Sequence, residues 1–225
     1  MSKKPRAGFN TPRLRSVSEG RQRHLPEVEG LETMTDAQLA ALSQQGNREA
    51  FGVLAGRWDG PLCGFLRRVL GDEELARDAC QEALLRAYVK LPSLREPAAF
   101  KTWLHTIALN LCRDRGRSPG LREVALDHAM AEEPPSADAS PFDHAQHDNL
   151  ASVLHRVLAR LPIEQRSAIV LREFEGFTSQ EIATMSGVPA ATVRSRIFYG
   201  LKALRKMLPE HGITQSHLTD GGTVQ

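Results

Sequence analysis

Cysteines and long apolar runs are scarce in this chain, and both shortages exclude whole classes of protein. The 225 residues include three cysteines, Cys63, Cys80 and Cys112. An odd number of thiols without CxxC spacing predicts neither a disulfide framework nor a zinc site. No apolar run approaches the roughly 18 residues of a membrane helix, and the N-terminus lacks the apolar core of a secretory signal. These absences predict a cytoplasmic protein.

Recognisable catalytic motifs are also missing. The sequence has no glycine-rich phosphate-binding loop, no HExxH motif and no paired carboxylates beside a plausible base. One metal-like cluster, Asp143-His144 with His147-Asp148, lies in an acidic tract that contains several prolines. Two histidines in such a tract are a weak signal for a metal site. We therefore expect a binding protein and not an enzyme, with no catalytic residue, no metal and no cofactor.

The net charge is only +2, but charge is strongly separated along the chain. Residues 1–26 hold seven basic residues and one acidic residue, residues 118–149 hold one and seven, and residues 150–208 hold nine and four. Basic blocks on both sides of an acidic one indicate a polyanion as the partner of the basic parts. Composition further predicts a disordered basic arm over 1–33, a flexible acidic linker over 118–149 and a frayed tail over 209–225.

Residues 178–208 predict two helices joined by one tight turn. Thr178 stands three residues before Glu181, which is the spacing of a capping box at a helix start. Gly187 tolerates the positive φ of a turn, and Pro189 fits the start of a second helix because its missing N–H is not needed there. The second helix has an apolar stripe that packs inward, and the whole segment reads as a helix-turn-helix. The stripe consists of Val193, Ile197, Leu201, Leu204 and Leu208.

The opposite face of this second helix is basic and carries an aromatic residue. An exposed Phe198 is expected in a recognition helix, where an apolar side chain can meet a thymine methyl while serine and arginine reach base edges or phosphates. The alternatives are an ordinary amphipathic helix with a solvated basic face, or a phenylalanine buried against another helix. Turn chemistry, stripe and basic flank together favour recognition. The candidate DNA-binding residues are Arg194, Ser195, Arg196, Phe198, Tyr199 and Lys202.

Three helices are predicted in the first half of the chain. Thr35 with Gln38 begins a short helix to about residue 45, Asn47 begins one to about residue 70, and Asp72 begins one to about residue 91. Gly60-Pro61 is expected to kink or break the second of these. The third has an apolar half and an opposite face with a leucine among polar residues, which is either incidental or typical of a docking surface. That face consists of Asp78, Gln81, Glu82 and Leu85.

The clearest amphipathic pattern follows, over residues 100–113. Apolar residues recur from Phe100 to Leu111 at helical spacing, so one face packs inward. The other face is polar and cationic without acids, which suits a phosphate backbone. Asn110 could read a base and Trp103 could stack on one, although Trp103 alone also fits a core aromatic. Two further helices, over about 153–161 and 163–175, complete a four-helix C-terminal unit. The polar face comprises Lys101, Thr102, His105, Thr106, Asn110 and Arg113.

Three stretches resemble regions 2 and 4 of the sigma-70 family of initiation factors. They are ARDACQEALLRAY at 76–88, FKTWLHTIALN at 100–110 and LPIEQRSAIVLREFEGFTSQEIATMSGVPAATVRSRIF at 161–198. The resemblance covers about residues 35–208 and is closest to the extracytoplasmic-function group, which keeps only these two domains. It implies an all-α fold of two small helical domains joined by a flexible acidic linker. Region 2 would span 34–117 and region 4, with its helix-turn-helix, 150–208.

The resemblance implies a bacterial transcription initiation factor that binds core RNA polymerase, recognises the −35 and −10 promoter elements and helps to open the promoter. The face of Asp78, Gln81, Glu82 and Leu85 would dock on the β′ clamp helices, and region 4 would meet the β flap. The acidic linker would run toward the active-site and RNA-exit channels, and an anti-sigma factor is a candidate third partner. The residues that would face the −35 element are Arg194, Ser195, Arg196, Phe198, Tyr199 and Lys202. The residues that would contact the −10 element are Leu94, Arg95, Lys101, Trp103, His105, Asn110 and Arg113.

This chain departs from the family pattern at three positions, and one alternative function stays open. Tyr199 replaces a commonly basic residue, Gly200 lies inside the recognition helix, and Ala98 stands where serine is frequent. The resemblance therefore does not predict the promoter preference. The alternative is a stand-alone helix-turn-helix regulator that binds operator DNA, which would leave the docking face and the acidic linker unexplained.

Overall fold

The computed structural model describes residues 28–116 and 144–211, and within these ranges the chain is all-α. Most of the predicted arm, linker and tail lies outside the described residues. Short 3₁₀ turns occupy Leu91–Ser93, Pro97–Ala99 and Leu208–His211. The helices are α1 (Val28–Leu31), α2 (Asp36–Gln44), α3 (Arg48–Leu70), α4 (Glu73–Lys90), α5 (Phe100–Gly116), α6 (His144–Ala159), α7 (Ile163–Glu173), α8 (Ser179–Ser186) and α9 (Ala190–Met207).

Helix starts agree with the capping signals in the sequence. Thr178 and Glu181 form a reciprocal capping box before α8, and Thr35 with Gln38 does the same before α2. Hydrogen bonds from the backbone N–H and the hydroxyl of Thr178 lower the pKa of the Glu181 carboxyl. Each such cap contributes about 1 kcal/mol to the stability of its helix. The helix-turn-helix begins where the sequence predicted it, and Gly187 ends α8 with a φ of 64°.

Helix α3 runs without a break through Gly60-Pro61, where a kink or break was predicted. Pro61 lies inside it and is exposed. A proline at an interior position costs a helix about 3 kcal/mol. Leu54 and Leu62 on either side are fully buried, as is Phe65, so core packing of one long helix offsets that cost.

Two ordered segments extend into regions predicted to lack structure. Residues 28–31 form a helical turn, and Leu31 is fully buried in the core. Helix α6 begins at His144, inside the predicted linker. A single apolar residue has no periodicity, so the burial of Leu31 could not be read from the sequence.

The two halves share one apolar core. Buried side chains of α3, α4 and α5 continue without interruption into those of α7 and α8, where Leu171, Phe177 and Ile182 join the cluster. A second, smaller cluster around Val157, Leu158 and Leu204 holds α6, α7 and α9 together. Two helical units were predicted, and the described residues have that architecture. Their direct packing was not predicted.

Close approach at the end of α5 requires a glycine. A Cβ added at Gly116 would lie 2.6 Å from Ile163 Cδ1 of α7. Any larger residue would force the isoleucine to move, because such a separation is far below van der Waals contact. The last turn of α5 and the first turn of α7 are therefore in direct contact, as part of the packing between the two halves.

Candidate polymerase and nucleic-acid interfaces

Helix α4 presents an alanine-rich half to the core and a polar half to solvent. The small side chains let α4 lie close to α3, in agreement with the predicted pattern. On the other half Asp78, Gln81 and Leu85 are exposed, Leu85 by 64%. Glu82 is half-buried, and its carboxylate pairs with Arg86 and, at 3.0 Å, with Arg115. The buried alanines are Ala76, Ala79, Ala83 and Ala87.

Two exposed apolar residues, Tyr88 and Val89, also lie on the solvent-facing half of α4. The sequence analysis did not single them out. Tyr88 and Val89 follow Leu85 at i+3 and i+4, so the three lie on one face, and Val89 is 68% exposed. Phe51 of α3 packs on Tyr88 with ring centroids 4.9 Å apart. The i, i+3, i+4 spacing was the available signal in the sequence. Together the α4 face comprises Asp78, Gln81, Glu82, Leu85, Tyr88 and Val89.

The connection between α4 and α5 is held by a glutamine. Gln44 Nε2, from the last turn of α2, donates to the carbonyls of Leu91 at 3.0 Å and Leu94 at 2.6 Å. The connection contains two hydrogen-bonded 3₁₀ turns. The Leu94 side chain is buried and Arg95 is exposed. Of the two loop residues predicted to meet the −10 element, Arg95 alone is accessible in this conformation.

His105 of α5 was predicted on the DNA-facing side and lies completely buried. Its ring is enclosed edge-to-face by Trp58, Phe65 and Phe177, with centroid distances of 5.7, 5.2 and 5.0 Å. Nδ1 is 2.9 Å from the carbonyl of Lys101, so Nδ1–H donates there. Nε2 is 3.3 Å from Glu175 Oε2, which is close enough for an ion pair when the ring is protonated but lacks hydrogen-bond alignment.

Two basic residues of the same α5 face also contact the C-terminal half. Lys101 Nζ donates to the carbonyl of Glu175 at 2.8 Å and lies 4.8 Å from the centroid of the Phe177 ring. Arg113 Nη1 donates to the carbonyl of Ser186 at 3.1 Å. Ser186 is the last residue of α8, where helix carbonyls attract cations. On this side of α5, His105 is buried and Arg113 is half-buried, whereas Lys101 stays exposed although it contacts Glu175.

Two further predicted −10 residues of α5 differ in their exposure. Asn110 is exposed, and Trp103 is half-buried with its ring 5.9 Å from that of Phe100. Trp103 therefore combines a core contact with an accessible edge, so both interpretations of this residue hold in part. The structure does not bring Asn110, Trp103 and Arg95 together with His105 on one open surface.

Helix α9 presents its predicted face to solvent. Arg194, Ser195 and Lys202 are exposed and Arg196 is half-buried. Phe198 is 63% exposed, and its ring centroid is 5.4 Å from that of Tyr199. Phenylalanine buried against another helix, one of the alternatives considered, is therefore excluded. This face carries only basic, polar and aromatic side chains.

Two of the three thiols are buried and carry no charge at physiological pH. Burial raises the pKa of Cys80 and of Cys112 to about 12 each, so both thiols are neutral at physiological pH. Within the described residues no three metal-ligating side chains come together. The side chains of Asp143, His144 and His147 lie outside the described part. None of the described helices is long and apolar enough to cross a membrane.

Comparison with known proteins decides between the two functions considered. Residues 54–120 match the family profile described as Sigma-70 region 2, and residues 152–204 match Sigma-70, region 4. The chain is 36% identical over 185 residues to the RNA polymerase sigma-H factor of Pseudomonas aeruginosa, covering 77% of this chain and 93% of that protein. This chain is an extracytoplasmic-function sigma factor of the sigma-70 family.

Further relatives agree with this assignment. The chain is 34% identical over 182 residues to the ECF RNA polymerase sigma-E factor of Escherichia coli K12, covering 77% of this chain and 94% of that protein. The structure of CnrH in complex with the cytosolic domain of CnrY is similar, with a TM-score of 0.55 and 26% identity over 78% of this chain and 97% of that chain.

The predicted fold class, family and function are therefore confirmed. As a sigma factor the protein is a transcription initiation factor and not an enzyme. It binds core RNA polymerase, recognises −35 and −10 promoter elements and helps to open the promoter. The stand-alone regulator is set aside. The assignment of individual residues to polymerase, −35 and −10 contacts stays a prediction.

Proposed function

We propose that this sigma factor docks on core RNA polymerase through the α4 face. The single observation that carries the proposal is the exposed cluster of Leu85, Tyr88 and Val89 on a helix whose other half is committed to the core. An apolar anchor ringed by polar side chains is typical of the energetic centre of a protein interface. Asp78 and Gln81 supply the polar rim in this proposal. The β′ clamp helices are the proposed partner surface.

The α9 face is proposed to read the −35 element. Its arginines can reach phosphates or guanine edges, and Phe198 can meet a thymine methyl. The exposure of this face in the free protein supports the assignment. The 92–97 connection and α5 are proposed to bind the −10 element through the accessible residues Arg95, Lys101, Trp103 and Asn110.

Domain limits and partners complete the proposal. Region 2 is proposed to span about 34–117 and region 4 about 150–208, with the linker 118–149 between them. Region 4 is proposed to meet the β flap. CnrH was solved in complex with the cytosolic domain of CnrY, which supports a regulatory protein partner here, with an anti-sigma factor as the candidate. We place the action of the protein in the cytoplasm, where its polymerase works.

Co-purification with core polymerase tests the docking assignment. The variant Asp78→Arg with Leu85→Ala changes exposed positions, so its melting temperature should stay near that of the wild type, while polymerase affinity should fall by about 2 kcal/mol or more. Glu32→Arg, a charge reversal at an exposed residue outside both proposed polymerase contacts, is the matched control and should keep full affinity. If the double variant binds polymerase as tightly as Glu32→Arg does, the α4 face is not the docking surface.

A further inference from the structure

Cys63 of α3 and Cys80 of α4 lie beside each other, although 17 positions separate them in the sequence. Cys80 Sγ is 3.5 Å from the carbonyl oxygen of Asp59 and 3.8 Å from Asp59 Oδ1. In an α-helix that carbonyl accepts a hydrogen bond from the residue four positions later, which here is Cys63. Such a bond is about 2.9 Å long, so Cys80 Sγ lies within about 6.5 Å of the Cys63 backbone nitrogen.

The two thiols also interact directly. Burial raises the pKa of the Cys80 thiol to about 12, together with Asp59 and Cys63, each of which acts through its charge and through a side-chain hydrogen bond. Two thiols share a hydrogen bond only when their sulfur atoms are neighbours. Cys63 is half-buried and Cys80 is buried. The function of a sigma factor uses neither of them.

The packing of α4 on α3 gives the spacing that a disulfide needs. Ala76, Ala83 and Ala87 are buried and lie within about 60° of Cys80 around α4, so small side chains surround the contact. Packed helix axes are about 8 to 10 Å apart, and Cα atoms lie about 2.3 Å from each axis. Facing Cα atoms of a closely packed pair therefore approach to about 4 to 5 Å. Disulfides have Cα atoms about 4.4 to 6.8 Å apart.

We propose that Cys63 and Cys80 are an oxidation site, at which a hydroperoxide converts the two thiols into a reversible disulfide that clamps α4 to α3. The bond would join two helices that already share one core. The inference does not depend on which residues contact polymerase or DNA.

A small oxidant can reach Cys63 because the neighbouring surface of α3 is bare. Gly56 and Gly60 precede Cys63 by seven and three positions, so they lie on the same side of the helix. Both are exposed, and a Cβ added at either would meet nothing within 4 Å among the described residues. Cys80 lies behind Cys63 in the core and keeps its proton. Cys63 is therefore the thiol that is oxidised first.

The reaction balances with hydrogen peroxide as the oxidant. Sulfur of Cys63 attacks one peroxide oxygen, the O–O bond breaks, and the products are a sulfenic acid on Cys63 and one water. Sulfur of Cys80 then attacks the Cys63 sulfur. The S–S bond forms, the S–O bond breaks, and the hydroxide leaves with the Cys80 proton as a second water. A dithiol returns the two electrons and restores both thiols.

Peroxide treatment of the native full-length protein tests the proposal. The variants are Cys63→Ser and Cys80→Ser, and the matched control is Cys112→Ala, which removes the third thiol. A serine hydroxyl can donate to the Asp59 carbonyl as the thiol does, so Cys80→Ser should fold. Trypsin cleaves after arginine and places Cys63 in peptide 58–67 and Cys80 in peptide 78–86. Mass spectrometry of a non-reducing digest therefore detects the disulfide as two joined peptides.

We expect the joined peptides in the wild type and in Cys112→Ala, and their separation by dithiothreitol. Cys63→Ser should show neither the cross-link nor an oxidised Cys80. In Cys80→Ser the second thiol is missing, so Cys63 should advance to the sulfinic acid. The oxidised wild type should melt about 5 to 10 °C above the reduced protein, because the bond closes a loop in the unfolded chain.

Three results would overturn the proposal. The first is sulfinic acid on Cys63 of the native wild type without any joined peptides. The second is a disulfide between the Cys63 residues of two molecules in place of the internal bond, which a non-reducing gel detects as a dimer. The third concerns the clamp, which is refuted if the cross-linked protein melts no higher than the reduced one.

Discussion

The Arg166 guanidinium of α7 donates to the carbonyl of Val69, near the end of α3, at 2.7 Å. Its second nitrogen donates to the carbonyls of Ala159 at 2.6 Å and Leu161 at 2.9 Å. The last carbonyls of a helix have no partner within the helix and carry partial negative charge. Burial lowers the pKa of Arg166 to about 10, so the side chain stays charged at neutral pH. One cation thus joins α3, α6 and α7.

Replacing Arg166 should destabilise the protein strongly. Arg166→Met keeps much of the apolar stem but leaves three buried carbonyls without their donor, and a loss of about 3 kcal/mol in the free energy of unfolding is expected. Urea unfolding followed by circular dichroism measures it. Arg160→Met is the control, because Arg160 makes one exposed ion pair with Glu210 at 3.7 Å, a contact that contributes under about 1 kcal/mol. Equal losses in the two variants would contradict the structural role of Arg166.

The sequence predicted those structural features that depend on residues close together along the chain. The Thr178–Glu181 box and the stripe of α5 are local signals, so helix starts and the inward face of α5 followed directly from the residues. The position of His105 depends on Phe177, seventy-two residues later, and no periodicity within α5 reveals a second partner surface. The α9 face, in contrast, was predicted correctly as exposed, because no other described helix covers it.

Gly200, one of the positions at which this chain departs from the family pattern, packs closely against α7. A Cβ added there would lie 2.6 Å from Ile169 Cδ1, a buried atom of α7. Gly200→Ala should therefore lower stability by about 1 to 3 kcal/mol through overpacking, despite the roughly 1 kcal/mol that alanine gains in a helix. Adding Ile169→Val, which deletes Cδ1, should recover most of the loss. Gly56→Ala in α3, where a Cβ meets nothing within 4 Å, should instead stabilise the protein by about 0.5 to 1 kcal/mol. Thermal melts of the four proteins test this order.

The thiols predict a loss of stability at alkaline pH. Burial raises the pKa of Cys80 and Cys112 to about 12, whereas a thiol in the unfolded chain ionises at about 8.5. Above about pH 8.5 the unfolded state loses these protons first. The stabilisation is therefore complete below that pH and falls as the pH rises toward 12.

At pH 8 a disulfide reagent should modify half-buried Cys63 first and the other two only after unfolding. Cys63→Ser should abolish the fast phase.

The α9 face should set −35 preference. Arg194→Ala and Phe198→Ala each remove an exposed side chain, so folding should be unaffected, while transcription from the preferred promoter should weaken by about 1 to 3 kcal/mol. Discrimination at particular −35 bases should relax in both. Arg205→Ala, on the last turn of the same helix, is the control and should lower activity without changing the preference. Run-off transcription on a set of −35 variants measures this, and unchanged preference in both variants would refute the assignment.

Strand opening should depend on Arg95 and Asn110. Both are exposed: Arg95 lies in the connection that Gln44 holds in place, and Asn110 lies farther along α5. Each is proposed to contact a base of the opened strand. Unstacking one base costs a few kcal/mol, which stacking and hydrogen bonds of about 1 to 3 kcal/mol per base can offset. Arg95→Ala and Asn110→Ala should therefore reduce transcription from duplex promoters more than from templates already melted across the −10 element.

Leu94 and Gln44 provide the contrast for that experiment. Leu94→Ala should act through stability, because the side chain is buried, and should lower activity on both templates alike. Gln44→Ala removes both hydrogen bonds that fix the connection. A loosened connection holds the base less well, so this variant should behave like Arg95→Ala, although Gln44 itself lies outside the predicted DNA surface. If Arg95→Ala, Asn110→Ala and Gln44→Ala each lose as much activity on melted templates as on duplex templates, these residues take no part in opening the promoter.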